Sequence, residues 1–68
     1  MTTLSKTTGR AYKGERMVYI LNPVQTAKYL KHGMTLYDIF ESNGSLVFVF
    51  DKDETKEIYD LWCKRELN

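Results

Sequence analysis

The feature that most constrains this fold is an apolar run that follows a tight turn. The run "SLVFVF", residues 45–50, comes directly after Asn43-Gly44. Both turn residues tolerate the positive φ that a two-residue hairpin needs, so the sequence predicts antiparallel strands at 36–42 and 45–50. A half-buried strand alternates apolar and polar residues, but 46–50 has no polar residue. Both faces of this strand therefore need a cover.

A second two-sided apolar run and a well-marked helix precede the hairpin. Residues 16–21, "RMVYIL", predict a strand. In the helix that follows, Asn22 suits the N-cap, Pro23 the first helical position and Gly33 the left-handed residue beyond the end. The inward stripe is expected at spacings of three and four, at Val24, Ala27, Leu30 and Met34.

The last segment, residues 51–67, predicts a second helix. Asp51 and Glu54 have the spacing of a capping box, with Asp53 as the alternative cap. The expected apolar stripe comprises Ile58, Leu61 and Trp62, and Cys63 is expected to be a small buried residue.

The predicted order is β-α-β-β-α, which indicates a small α+β fold. Two short helices can cover only one face of a three-stranded, mainly antiparallel sheet. We favour the third predicted strand as the central one. The alternative places the first strand parallel to the second through a right-handed crossover.

Charge divides the chain into two parts. The first 16 residues contain four basic side chains and one acidic, whereas residues 17–68 contain six basic and eight acidic. The start of the chain is also rich in Thr, Ser and Gly, with no apolar period. We therefore predict a flexible basic arm over residues 1–15 and a single domain over 16–68. Such an arm either stays disordered or settles on a partner.

Catalytic and ligand-binding constellations are not evident in the sequence. The chain has one histidine, His32, at the predicted end of the first helix, and one cysteine, Cys63, in the second. No Cys/His spacing suits zinc, no glycine-rich loop suits a phosphate, and "DKDET" lacks the glycine and the final glutamate of a calcium loop. We expect no enzymatic activity, no cofactor and no metal.

The expected compartment is the cytoplasm. A single cysteine cannot form an intramolecular disulfide, no apolar run approaches the roughly 18 residues of a membrane span, and the N-terminus lacks the apolar core of a signal peptide.

Nucleic-acid binding is one functional hypothesis. An aromatic residue lies among basic ones in the arm, a pattern that suits phosphate contacts with base stacking. The candidate contacts are Arg10, Tyr12, Lys13 and Arg16, extended by Lys28 and Lys31. The acidic body and the pI of about 7.8 weigh against this hypothesis.

The favoured hypothesis is an interaction protein that uses its sheet. The chain is too short to supply a second covering layer, and large apolar patches seldom stay exposed on monomers. The sheet face of Val18, Ile20, Val47 and Val49 is therefore predicted to bury itself in a homo-oligomer or against a protein partner. In one alternative, Phe48 and Phe50 face outward instead. In another, the second face carries only scattered Val and Tyr.

Two segments resemble a family of small uncharacterised domains of Firmicutes, their phages and mobile elements. These are "VYILNPVQTAKYLKHGM" and "LVFVFDKDETKEIYDLW", within residues 17–67. The resemblance implies the same fold and an intracellular setting, with no catalytic residues to transfer. It also implies a phage protein that modulates or inhibits host machinery, such as a defence system.

Overall fold

A computed structural model describes residues 2–68 of the chain. It contains two antiparallel sheets and two helices, which confirms the predicted α+β class. The strands are β1 (Thr2–Leu4), β2 (Ala11–Lys13), β3 (Met17–Ile20), β4 (Asp38–Ser42) and β5 (Ser45–Asp51), and the helices are α1 (Pro23–Lys31) and α2 (Lys56–Cys63).

The larger sheet has the order β3-β5-β4, with both pairs antiparallel. The predicted central position of the long apolar strand is therefore confirmed. Asn43 and Gly44 form the turn between β4 and β5 with φ angles of 51° and 82°, as a type I′ hairpin requires. The apolar run lies in the middle of the sheet, where both of its faces and both of its edges are in use.

Both helices pack on the same sheet face, as predicted. Ile20, Tyr29, Phe50 and Leu67 form the main core cluster, against which α2 places Ile58 and Trp62. The Tyr29 ring meets the Phe50 ring edge to face, with centroids 5.2 Å apart. This arrangement suits the quadrupoles of two aromatic rings.

The ends of α1 are as predicted, but its inward stripe is wrong at Val24, Ala27 and Leu30, which are exposed, whereas Met34 packs against the main core as predicted. Asn22 Oδ1 accepts hydrogen bonds from the N–H groups of Val24 and Gln25, and Gly33 has a φ of +83°. The buried side chains are instead Gln25, Thr26 and Tyr29. Burial of the large Tyr29 ring removes more area from water than burial of Val24 would, and this rotates the helix.

The start of α2 also differs from the prediction. Asp51 Oδ1 accepts hydrogen bonds from the N–H groups of Asp53 and Glu54, but these residues form a turn before the helix, which begins at Lys56. The Glu54 carboxylate does not complete a capping box, because it binds the N–H and hydroxyl groups of Thr35. Cys63 is exposed rather than buried.

Within the segment predicted as a flexible arm, residues 1–15, residues 2–13 form a second hairpin. Strands β1 and β2 pair antiparallel, with Thr3 opposite Tyr12. This N-terminal hairpin packs on the sheet face opposite the helices, where Tyr12, Met17 and Val49 form a second core cluster with Tyr37. The segment has no apolar period that would predict this. It is held instead by the buried ring of Tyr12 and the buried hydroxyl of Ser5. Met1 lies outside the described residues.

A buried carboxylate anchors the N-terminal hairpin. Asp38 Oδ1 accepts hydrogen bonds from the Ser5 hydroxyl at 2.6 Å and from the Ile39 N–H at 2.8 Å, and Asp38 Oδ2 accepts one from the Tyr12 hydroxyl at 2.7 Å. Burial raises the pKa of Asp38, but these three donors together outweigh burial and hold the pKa below its ordinary value. The carboxylate is therefore charged at neutral pH and fully bonded.

The predicted interaction face is corrected by the strand register. Val18 lies opposite Phe50 and therefore shares the helix-covered face with Ile20. Val49 and Val47 lie on the other face, where Val49 packs against Tyr12 of the N-terminal hairpin, and both are buried. The four residues do not form one surface, and Phe50 is fully buried rather than outward-facing.

A lysine scan of β5 tests this second covered face. Val49 has no exposed surface, whereas Leu46 on the same strand is 54% exposed. Val49→Lys buries a charge at a cost of several kcal/mol, which is comparable to the whole stability of about 3–5 kcal/mol that a core of this size provides. We expect Val49→Lys to unfold the protein and Leu46→Lys to leave it folded, as measured by urea denaturation. A folded Val49→Lys variant would contradict the assignment.

The Tyr12–Asp38 hydrogen bond predicts a specific alkaline response. The hydrogen bond to Asp38, with burial, raises the pKa of Tyr12 from 10.0 to about 12. The folded state therefore holds this proton more tightly, so the stabilisation is complete below pH 10 and is lost as pH rises toward 12. Tyr12→Phe should cost about 1.5–3 kcal/mol at pH 7.

The measurement compares the free energies of unfolding of the two proteins across pH. We expect the difference between wild type and Tyr12→Phe to stay constant up to pH 10 and then to shrink. Other tyrosines and the lysines titrate in both proteins and therefore cancel. A difference that is independent of pH up to 12 would exclude the hydrogen bond.

Candidate functional site

The N-terminal hairpin covers one of the two sheet edges. Three side chains of its loop donate to carbonyls at and just before the edge strand β4. The donors are Thr7 Oγ1 to the Ile39 carbonyl at 3.1 Å, Thr8 Oγ1 to Tyr37 at 2.6 Å and Arg10 Nη1 to Leu36 at 2.8 Å. These bonds occupy acceptors with which another strand would otherwise pair, and so they block the start of that edge, where β4 begins.

The hydrogen-bond direction along β5 follows from one contact. The N–H of Tyr37 donates to the carbonyl of Val49 at 2.9 Å. The backbone groups of Val49 are therefore directed toward β4. Because successive residues of a strand direct these groups to alternate sides, Phe48 and Phe50 bond to β3.

The other edge, that of β3, is open. Val18 and Ile20 lie opposite Phe50 and Phe48, so their backbone groups are used within the sheet. Tyr19 lies between them, opposite Val49, and its N–H and C=O groups are therefore directed away from the sheet. No proline or charged residue lies within Met17–Ile20 to protect this edge.

A groove of about 690 Å³ runs along the open edge. It is lined by residues 17–22, by two side chains of α1 and by four at or near the start of α2: Gln25, Tyr29, Lys52, Thr55, Lys56 and Tyr59. Three of its large side chains are roughly half exposed, namely Tyr19 at 48%, Leu21 at 59% and Tyr59 at 56%. Unpaired backbone groups and exposed apolar side chains thus meet at one place, which we call the β3-edge groove.

The charged side chains of the β3-edge groove are all basic. Lys52 and Lys56 line it, and none of its lining residues is acidic. Within residues 2–68 the one ion pair joins Lys64 Nζ to Asp60 at 3.0 Å, so both lysines of the groove are unpaired. The backbone N–H of Lys52 donates to the carbonyl of Arg16, which directly precedes β3. The β3-edge groove is therefore apolar, with its positive charge at the Met17 end of the strand.

Three of the six residues predicted to contact nucleic acid are engaged within the fold. Tyr12 is buried with its hydroxyl on Asp38, so its ring is not available to stack on a base. Arg10 binds the Leu36 carbonyl. Lys28 donates to the Leu67 carbonyl at 3.2 Å and lies 5.5 Å from the Trp62 ring centroid. The remaining three, Lys13, Arg16 and Lys31, are exposed.

The histidine of the chain lies outside the β3-edge groove. His32 ends α1, where its Nε2 lies 2.8 Å from the Asn68 carbonyl. Among residues 2–68, no three His, Cys, Asp or Glu side chains lie close enough together to hold a metal ion. Within the same range, neither helix has the length and apolarity to cross a membrane. What the groove offers is hydrogen bonding, apolar contact and positive charge.

The main elements of the β3-edge groove were missed from the sequence, although one signal pointed to it. A central third strand makes the first strand an edge, and "MVYI" has no charge or proline to protect that edge. The contributions of Lys56 and Tyr59 could not be foreseen, because they depend on where α2 begins. The unprotected edge of this strand, rather than the faces of the sheet, is the signal that locates Tyr19.

Comparison of the chain with protein families, with characterised proteins and with solved structures gives no match. The resemblance to a Firmicutes and phage domain family therefore stays a prediction. Function has to be argued from the groove itself.

Amide hydrogen exchange tests the open edge directly. The N–H groups of Val18 and Ile20 are bonded to β5, whereas that of Tyr19 has no partner in the sheet. By NMR we expect the Tyr19 amide to exchange at least tenfold faster than its two neighbours, since it needs no opening of the sheet. Equal protection at all three positions would show that the edge is covered.

Proposed function

We propose that this protein is a non-enzymatic interaction module that binds another protein chain through the β3-edge groove. The observation that carries the proposal is the difference between the two sheet edges. Three side-chain donors of the N-terminal hairpin occupy carbonyls at and just before the start of β4, while β3 keeps the backbone groups of Tyr19 free beside an apolar groove. An exposed edge of this kind pairs readily with an added strand.

The proposal changes the surface that was expected to bind. The predicted contact through Val18, Ile20, Val47 and Val49 is replaced by one through the edge, because the chain covers both faces itself. The partner is either a second copy of the chain or another protein. In the setting that the family resemblance implies, a phage or mobile element, that partner would be a host protein and the module its modulator or inhibitor.

Nucleic-acid binding is the weaker alternative. It loses its stacking residue to the core and two of its basic side chains to intramolecular contacts. The predicted contacts that remain exposed are Lys13, Arg16 and Lys31, and none of the predicted contacts left is aromatic. The body of the chain is also acidic.

Site-specific photocross-linking in cells that encode the protein tests the proposal. The photoreactive residue p-benzoylphenylalanine replaces Tyr19 in one variant and Leu46 in a matched control. Both positions are about half exposed on the same sheet, but Leu46 lies far along β5 near the hairpin turn. We expect a discrete protein adduct from position 19 and none from position 46.

Two outcomes of the cross-linking experiment would contradict the proposal. Adducts of equal yield from both positions, or none from position 19, would overturn binding at the β3 edge. Mass measurement of the adduct distinguishes a second copy from another protein.

A further inference from the structure

We infer that the occupant of the β3-edge groove is an extended acidic segment of another protein, which adds to β3 as a fourth strand of the sheet. The inference rests on the proposed function and specifies the chemistry of the partner. It combines three features of the groove: the free backbone of Tyr19, the apolar lining and the two unpaired lysines.

The backbone of Tyr19 specifies an extended occupant. Its N–H and C=O groups lie on the same outer side of β3 and can exchange two hydrogen bonds with one residue of an antiparallel strand. A helix has no free backbone groups to offer in its middle, so it could not use these groups. The occupant is therefore a strand.

The pleat then decides which side chains of the occupant enter the groove. The residue opposite Tyr19 points to the face of the N-terminal hairpin. Its two neighbours lie opposite Val18 and Ile20 and point to the helix face, where Tyr29 and Tyr59 line the groove. These two positions call for apolar side chains, while the residue between them is free to be polar.

Charge places the acidic residues at the Met17 end of β3. The Lys52 N–H is bonded to the Arg16 carbonyl at that end, and Lys56 follows four residues later at the start of α2. A carboxylate beyond the apolar positions would meet these cations. The pattern expected of the partner is thus apolar, any residue, apolar, flanked on one side by Asp or Glu.

The same charges disfavour a second copy. In a two-fold pairing centred on Tyr19, each groove would receive the partner strand Met17–Ile20, which has no carboxylate. Lys52 and Lys56 would then be partly desolvated without a counter-charge, which costs free energy. A partner that brings acidic residues avoids this cost.

Fluorescence anisotropy with synthetic peptides tests the inference. The probes are capped, labelled octapeptides of alternating Val and Thr with two Glu residues at one end. Two versions carry the Glu pair at the amino or the carboxyl end, because the strand direction is open. Matched controls replace both Glu by Lys. We expect one Glu peptide to bind roughly tenfold more tightly than its Lys control at low salt, with the ratio falling as salt is added.

Charge reversal on the protein provides the second arm. In the double variant Lys52→Glu and Lys56→Glu, the preference should invert toward the Lys peptide. Lys31→Glu lies outside the groove and should leave the preference unchanged. N-methylation of the probe residue opposite Tyr19 should reduce binding at least tenfold, and this arm needs no change in the protein.

The outcomes separate the two claims. If position 19 cross-links to a partner but Glu and Lys peptides bind equally, the acidic specificity is overturned and the interaction module stands. If the adduct at position 19 is a second copy of the chain, the inference also fails. If no adduct forms at that position, the proposed function itself fails.

Discussion

The hydrogen bonds of the Asp38 carboxylate hold the rest of this structure in place. Ser5 and Tyr12 reach it from the N-terminal hairpin, 33 and 26 residues away along the chain. Because the charged carboxylate is buried, losing the Tyr12 hydroxyl leaves Oδ2 without a donor, which costs more than the hydrogen bond itself gains. The sheet, the hairpin and the second core cluster are thereby coupled through one side chain.

That coupling answers the problem of a small chain with a two-sided apolar strand. The helices cover Phe48 and Phe50, and the N-terminal hairpin covers Val49. The domain therefore has three layers rather than two. The loop of the same hairpin also blocks the start of the β4 edge, so a single element covers part of one face and part of one edge. The edge of β3 is what remains for a partner.

Local signals were sufficient for much of this fold. Asn43-Gly44 specified the hairpin, and Asn22, Pro23 and Gly33 specified the ends of α1, because each acts on its immediate neighbours. The inward face of α1 was wrong since it depends on Tyr29 meeting Phe50, a contact between distant segments.

The N-terminal hairpin was missed for the same reason. A Ser and a Tyr in a polar segment have no periodic pattern, and only the fold brings Asp38 to them. The β3-edge groove inherits this difficulty, because Lys56 and Tyr59 reach the edge of β3 only after α2 docks. Its central residue, Tyr19, could be placed on an edge from strand order alone.

The measurement that tests the account most directly is the set of proton–proton contacts between the hairpin and the sheet in solution. The account predicts nuclear Overhauser effects from the Tyr12 ring to the side chains of Met17 and Val49, with slowed exchange at the amides of residues 2–13 that are bonded within the hairpin. Random-coil shifts over residues 2–13 and no such contacts would contradict it. The second face of the sheet would then be uncovered, and the open edge of β3 would no longer be the surface that distinguishes this protein.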